Sequence, residues 1–222
     1  MTAGALLLDL DGTLADTAAD LAAPANALRE ARGLPPLPLE QLRPWASHGA
    51  RGLIGAALGV APGDAGFDAL RAEFLERYAA ALCVHTRLFD GVEALLGACE
   101  AAGVPWGIVT NKHAVFARPV VEQLGLANRC AVLVCGDTTP RAKPDPLPLL
   151  HAASTLALAP RDCVYVGDDA RDIEAGRAAG MHTVAAVWGY CSDDPARWGA
   201  ELQATHPGAL AKGLRSRGWL AI

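Results

Sequence analysis

The stretch that most limits what this chain can become lies at its start, where an apolar run from Ala5 to Leu8 leads straight into Asp9-Leu10-Asp11-Gly12-Thr13. A run that apolar, without alternation, reads as a strand buried on both faces, so both faces need covering. Asp11-Gly12 stops it, because glycine tolerates the backbone angles of a tight exit. Two carboxylates at the mouth of a buried strand are costly unless something cationic or phosphorylated joins them. The rest of the chain has to supply that partner.

Downstream of Leu14 the pattern is helical. Apolar residues at helical spacing predict a helix over 18–32, closed by Gly33 and a Pro35-Pro36-Pro38 turn. A helical piece over 39–45 follows, then a glycine-bearing loop at Ser47–Gly52, a short helix over 53–58 and a clear helix over 67–82. Nothing between residues 16 and 84 reads as a strand. From Phe89-Asp90-Gly91 the rhythm changes. Apolar runs at 104–110, 130–135, 163–166 and 182–187 alternate with helical segments over 92–102, 114–124, 145–158 and 172–179. The tail from Asp193 carries weak helical pieces and no readable motif.

Strand–helix alternation is the pattern of a parallel sheet covered on both faces, and ligands in such sheets bind beyond the carboxyl ends of the strands. The expected fold is therefore α/β, a parallel five-stranded Rossmann-like core sheet with an all-helical insertion. The core is expected over residues 1–15 and 90–222 and the inserted cap over 16–89. The strand ends carry Asp9 and Asp11, Thr110 and Asn111, Asp137, and Asp168 and Asp169, and a following loop adds Lys143. Four strands thus bring polar groups to one edge.

Acids, a lysine and a threonine on one edge suit a divalent cation and a phosphate. Hard oxygen ligands favour Mg²⁺, which uses one or two carboxylates plus substrate oxygens. Aspartate is a nucleophile toward phosphorus, a second acid can move the protons, and Thr110 and Lys143 can hold phosphoryl oxygens. The net charge of −5 argues against nucleic acid, no apolar stretch reaches transmembrane length, and the apolar start, short, interrupted by two acids and without a positive n-region, does not read as a secretion signal. Six cysteines without a CxxC pair read as reduced, mostly buried thiols of a cytoplasmic protein.

Asp9–Thr13 (DLDGT), Thr110 after its apolar run, Lys143 before Pro144 and Gly167–Asp172 (GDDARD) resemble, in order and spacing, the four motifs of the haloacid dehalogenase superfamily. The helical insertion after the first motif is similar to that superfamily's C1 cap. Within it the chain resembles the bacterial phosphoglycolate phosphatases, and Gly49–Ile54 (GARGLI), Phe67–Tyr78 (FDALRAEFLERY) and Leu88–Gly91 (LFDG) also look like the N-acetylmuramic acid 6-phosphate phosphatase subgroup.

The resemblance implies a Mg²⁺-dependent phosphatase acting on a small phosphorylated metabolite. In it Asp9 is the nucleophile and Asp11 the general acid/base; Asp9, the Asp11 carbonyl and Asp168 hold the metal. Thr110, Asn111 and Lys143 bind the phosphoryl group, and Asp172 stands behind them or serves as an alternate ligand. The acid at position 11 argues against dehalogenation; a phosphomutase shares all four motifs, and a catalytically silent binding protein has no need of so many acids. Arg51 is the candidate for reading a carboxylate on the substrate. His48 and His113 are lesser pocket candidates, Asp137 reads as a loop acid, and Trp45, Trp106 and Trp188 read as core or cap-interface packing. The oligomeric state is left open.

Overall fold

The structure, a computed structural model, describes residues 4–222. The opening run forms β1 (Ala5–Leu8), whose residues alternate between two cores. Leu6 and Leu8 join Trp106, Val164 and the helices α5 (Val92–Ala101), α6 (Ala114–Gln123) and α9 (Pro207–Ser216). Ala5 and Leu7 join Tyr165 and the helices α7 (Leu147–Thr155) and α8 (Ala170–Ala179) on the other face. That two-sided burial is what an unalternated apolar strand requires.

The other sheet strands are β4 (Trp106–Val109), β5 (Val132–Val134), β6 (Cys163–Gly167), β7 (His182–Ala186) and β8 (Leu202–Ala204). All pair parallel in the order β5-β4-β1-β6-β7-β8, with Leu6 opposite both Trp106 and Val164. The chain builds outward from β1 to one side and then returns to build on the other, so β1 sits at the point where the strand order reverses. The sheet has six strands rather than the expected five. The extra strand, β8, is three residues long and alternates Leu202, Gln203, Ala204 at an edge, too short to register as an apolar run. Helix α9 also lies in the tail; His206 caps it, its ring accepting from the Ala209 N–H, and Leu210 and Leu214 are buried.

Between β1 and β4 the chain forms α1 (Ala18–Glu30), α2 (Leu39–Leu42), a 3-10 turn over Arg43–His48, α3 (Gly49–Leu58) and α4 (Phe67–Ala80). Leu21, Leu28, Leu53, Ile54, Phe74 and Tyr78 make a core of their own, which Tyr190 enters from the loop after β7. The two crossings pair as an antiparallel ribbon of β2 (Ala15–Asp16) and β3 (Arg87–Leu88). Asp20 in the first turn of α1 fastens the returning segment, accepting from the N–H groups of His85 and Thr86 and from Thr86 Oγ1 at 2.7–3.0 Å.

Two local expectations change. The segment around Arg51 is helical, not a loop. Gly49, at φ +58°, turns the chain out of the 3-10 turn, and α3 begins there because Leu53 and Ile54 anchor it to the cap core. Trp45 is 45 % exposed and not a core residue, with His48 as its aromatic neighbour, 5.9 Å between ring centroids. Trp106 is buried as expected, and Trp188, partly buried, donates its Nε1–H to the Thr13 carbonyl at 3.0 Å. All six cysteines are free, and burial raises the pKa of every thiol.

Candidate active site

The N–H of Asp9 donates to the Val166 carbonyl at 2.9 Å, so the parallel ladder fixes its backbone and its carboxylate emerges at the carboxyl edge of the sheet. Gly12, at φ +88°, then turns the chain back, its N–H reaching the Ala15 carbonyl at 2.9 Å. A side chain at Gly12 would run into the Asp168 carboxylate, so glycine is needed for space as well as for conformation. Thr13 Oγ1 donates to Asp168 Oδ1 at 2.8 Å. The short Asp-Gly-Thr segment therefore turns the strand and braces an acid from a different strand.

Asp9, Asp168 and Asp172 converge: one carboxylate oxygen from each lies within 4.8 Å of the other two. Lys143 stands among them, its Nζ 3.0 Å from Asp9 Oδ1 and 2.7 Å from Asp172 Oδ1. The ammonium also donates to the Val109 carbonyl at 2.9 Å and to the Tyr165 hydroxyl at 2.6 Å. The contact with Asp9 is an ion pair without hydrogen-bond alignment, which leaves Asp9 Oδ1 buried and without a hydrogen-bond partner. Burial raises the Asp9 pKa to about 6; Lys143 works against that rise, and Asp172 and Asp11 add to it. Asp168 is fully buried, and desolvation followed by repulsion from Asp9 and Asp172 pushes its carboxyl well above the usual range. Burial also disfavours the Lys143 charge, yet Asp172 and Asp9 outweigh it and hold its pKa above the ordinary lysine value.

Three buried acids facing one lysine are short of positive charge. A buried oxygen with an ion pair but no aligned hydrogen bond, an acid forced toward neutrality and an all-oxygen donor set together fit a hard divalent cation.

Asp11 lies beside this cluster with partners of its own. Thr17 Oγ1 donates to its Oδ1 at 2.6 Å, and Lys112 Nζ contacts both oxygens at 2.9 and 3.2 Å. Thr110, 3 % exposed, lines the cavity above. The Asn111 side chain is committed to the Lys143 backbone, accepting from its N–H and donating to its carbonyl oxygen.

The cap supplies the roof of a cavity of about 280 Å³. Leu21, Phe74, Leu75 and Tyr78 from the cap and Phe116 from the core form an apolar wall; Arg51 and Arg71 from the cap and Lys112 and Arg171 from the core add cations, with the rings of His48 and His113 beside them. Ser47 Oγ donates to Asp168 Oδ2 at 3.0 Å, and Arg171 donates to the Ser47 carbonyl at 2.9 Å while gripping Asp169 through two nitrogens. Asp169 is thereby kept ionised against its burial. Asp137 caps α6 by accepting from the Ala114 N–H, a loop role. Lys112, Tyr165, Tyr190, Ser47, Arg71 and Arg171 join the site without a role that the sequence alone points to. Arg171 lies within Gly167–Asp172, Arg71 within Phe67–Tyr78 and Ser47 at the start of the Ser47–Gly52 segment, while Lys112 follows Thr110 and Asn111 directly.

A six-stranded parallel sheet with a carboxylate–lysine centre at its carboxyl edge, under a helical lid inserted after the first strand, defines a capped α/β protein built for anionic, oxygen-rich ligands. The family model of haloacid dehalogenase-like hydrolases matches residues 6–186, and the chain belongs to that family. It is 47 % identical to an N-acetylmuramic acid 6-phosphate phosphatase of Pseudomonas aeruginosa, over 93 % of this chain and 92 % of that one. It is 50 % identical to a phosphoglycolate phosphatase of Xanthomonas campestris pv. campestris, over 93 % and 94 % of the two chains. The crystal structure of a predicted phosphoglycolate phosphatase from Haemophilus somnus superposes with a TM-score of 0.84 at 27 % identity, covering 96 % of this chain and 98 % of that one.

Proposed function

We propose that the chain is a magnesium-dependent phosphomonoesterase working through an aspartyl-phosphate. The observation that carries this reading is Asp9, a buried carboxylate at the end of the central strand, ion-paired at Oδ1 with Lys143 at 3.0 Å and converging with Asp168. Asp9 attacks the phosphorus and Asp11 transfers the protons. Asp9, the Asp11 carbonyl and Asp168 hold the Mg²⁺, which supplies charge neutralisation for the phosphoryl oxygens. Lys143 and Thr110 bind those oxygens, and Asn111 acts by fixing the backbone of Lys143. Asp172 orients Lys143 from behind, together with Tyr165. No single acid–base pair, worth roughly 10²–10⁴, accelerates phosphate monoester hydrolysis enough, so covalent, electrostatic and proton-transfer contributions act together.

The lid spans residues 16–89 and moves on the β2–β3 ribbon, closing over a small phosphorylated metabolite. Both relatives' names specify phosphate esters that carry a carboxylate, and Arg51 on the cavity wall suits that group. A two-carbon acid leaves the wall of Leu21, Phe74, Leu75 and Phe116 uncovered, so the cavity favours N-acetylmuramate 6-phosphate over 2-phosphoglycolate. Free thiols and the absence, among the described residues, of a helix long and apolar enough to cross a membrane accord with a place in the cytoplasm.

The test is hydrolysis of both esters and of 4-nitrophenyl phosphate with Mg²⁺, for the wild type and Asp9→Asn. Turnover that EDTA abolishes and Asp9→Asn lacks, with an unchanged circular dichroism spectrum, is expected. Folded wild-type protein that turns over none of the three overturns the reading.

A further inference from the structure

Beside the cluster around Asp9 lies a buried cation that the proposed reaction leaves without a task. Lys112 has a side chain only 7 % exposed, and its ammonium contacts both oxygens of Asp11. On its other side the ring of Tyr78, from cap helix α4, lies 4.8 Å from the ammonium by its centroid. The Tyr78 hydroxyl is buried and has no hydrogen-bond partner. Lys112 thus joins the acid/base of the core to an aromatic face of the cap. A buried ion pair adds little to stability once both charges have lost their water, so stability alone is a poor reason for this one.

We propose that Lys112 is a positioning residue for proton transfer: with Thr17 it holds the Asp11 carboxylate from two sides, and Tyr78 seats it when the cap is shut. The inference rests on the phosphatase reading. In the first step an Asp9 oxygen bonds to phosphorus as the ester P–O bond breaks. The departing oxygen keeps that electron pair and takes the proton of Asp11. The carboxylate left on Asp11 is then the species that Lys112 and Thr17 hold, so Lys112 stabilises what proton donation creates. In the second step water attacks phosphorus, Asp11 takes a proton from it, and the bond to Asp9 breaks, releasing phosphate and restoring both side chains. The Tyr78 ring favours a cation close to its face, so it keeps Lys112 in place only while the cap is down.

The test separates leaving groups. 4-Nitrophenolate departs without a proton, whereas a sugar or glycolate alkoxide needs one. Lys112→Met is expected to lower kcat/KM for the alkyl ester that the wild type turns over best by about 10²-fold, the scale of one general acid. Its loss on 4-nitrophenyl phosphate is expected to be at least tenfold smaller, with inhibition by inorganic phosphate changed less than twofold. Tyr78→Leu is expected to give the same asymmetry at smaller size, and it decides the matter should Lys112→Met fail to fold. Equal losses on both esters overturn the assignment in favour of a purely structural pair. A tenfold weaker inhibition by phosphate overturns it in favour of a phosphate-binding lysine. A wild type inactive on every ester overturns the phosphatase reading itself, which these variants then have no part in deciding.

Discussion

Asn111 and Lys143 exchange hydrogen bonds in both directions. The Lys143 N–H donates to Asn111 Oδ1 at 3.0 Å, and Asn111 Nδ2 donates to the Lys143 carbonyl oxygen at 2.9 Å. This pair ties the end of β4 to the loop before α7 and so sets where the Lys143 ammonium stands. Each bond contributes about 1 kcal/mol to stability, but a misplacement of the ammonium by 1 Å is expected to be felt mainly in the chemistry. Asn111→Ala should lower kcat/KM by about 10–10²-fold while Tm drops by only a few degrees. Activity within twofold of wild type, measured on the same substrate, removes Asn111 from the site.

The acid cluster predicts a pH-dependent stability that a cation cancels. In the folded protein the Asp9 pKa is raised from its ordinary 3.8 to about 6, and Asp168 is shifted in the same direction. A raised carboxyl pKa means that the folded state binds more protons than the unfolded chain between these values. Through Asp9 metal-free stability therefore falls as pH rises from about 4 to 6, and Asp168 adds to the fall in the same direction. For Asp9 alone the loss is about 3 kcal/mol. Mg²⁺ should raise Tm strongly at pH 7.5 and much less at pH 4.5, because it binds the ionised cluster. Thermal scans with and without Mg²⁺ at the two pH values check this, and equal shifts at both refute it.

Much of this architecture could be read from residue order. Ala5–Leu8 declared a two-sided strand because nothing polar interrupts it, and Asp9, Thr110, Lys143 and Asp168 could be assigned to one edge because each follows its own apolar run. What escaped has physical reasons. The β8 strand is three residues long at an edge, where two inward side chains carry no period. Gly49 and Gly52 on either side of Arg51 read as a loop, yet packing of Leu53 and Ile54 on the cap overrides low helix propensity. Tyr165 and Tyr190 support the centre through hydroxyl and backbone groups from positions that read as apolar strand and loop. Partnerships such as Arg171 with Ser47, 124 positions apart, leave no trace in spacing.

That last partnership yields a prediction about the lid. Arg171 holds the Ser47 carbonyl at 2.9 Å while fastened to Asp169, and Ser47 Oγ reaches Asp168 Oδ2 at 3.0 Å. The same motif thus grips the cap and contributes to the acid cluster. Arg171→Met should weaken closure while leaving Asp9, Asp168 and Asp172 in place, although Asp169 loses its arginine partner. Amide hydrogen exchange of the Arg43–His48 turn should quicken by about tenfold, equivalent to about 1.4 kcal/mol, and KM should rise. Unchanged exchange in that segment refutes a latch.

Arg51 and Arg71 face the cavity from α3 and α4 and enter no ion pair among the described residues. Two unpaired guanidinium groups over an apolar wall suit a ligand with an anion beyond its phosphate, since an arginine fork matches a carboxylate. A hydrogen bond to a charged group contributes about 1.5–3 kcal/mol, or roughly 10–150-fold in binding. Arg51→Ala and Arg71→Ala should each raise KM for N-acetylmuramate 6-phosphate by about tenfold or more. A hexose 6-phosphate without a carboxylate should lose much less. Because the lost contact does not involve the phosphorus or its leaving oxygen, kcat should change by less than KM in both variants. If the two esters lose equally, the arginines act on the phosphate or on the cap itself, and the reading of a carboxylate by this wall is wrong.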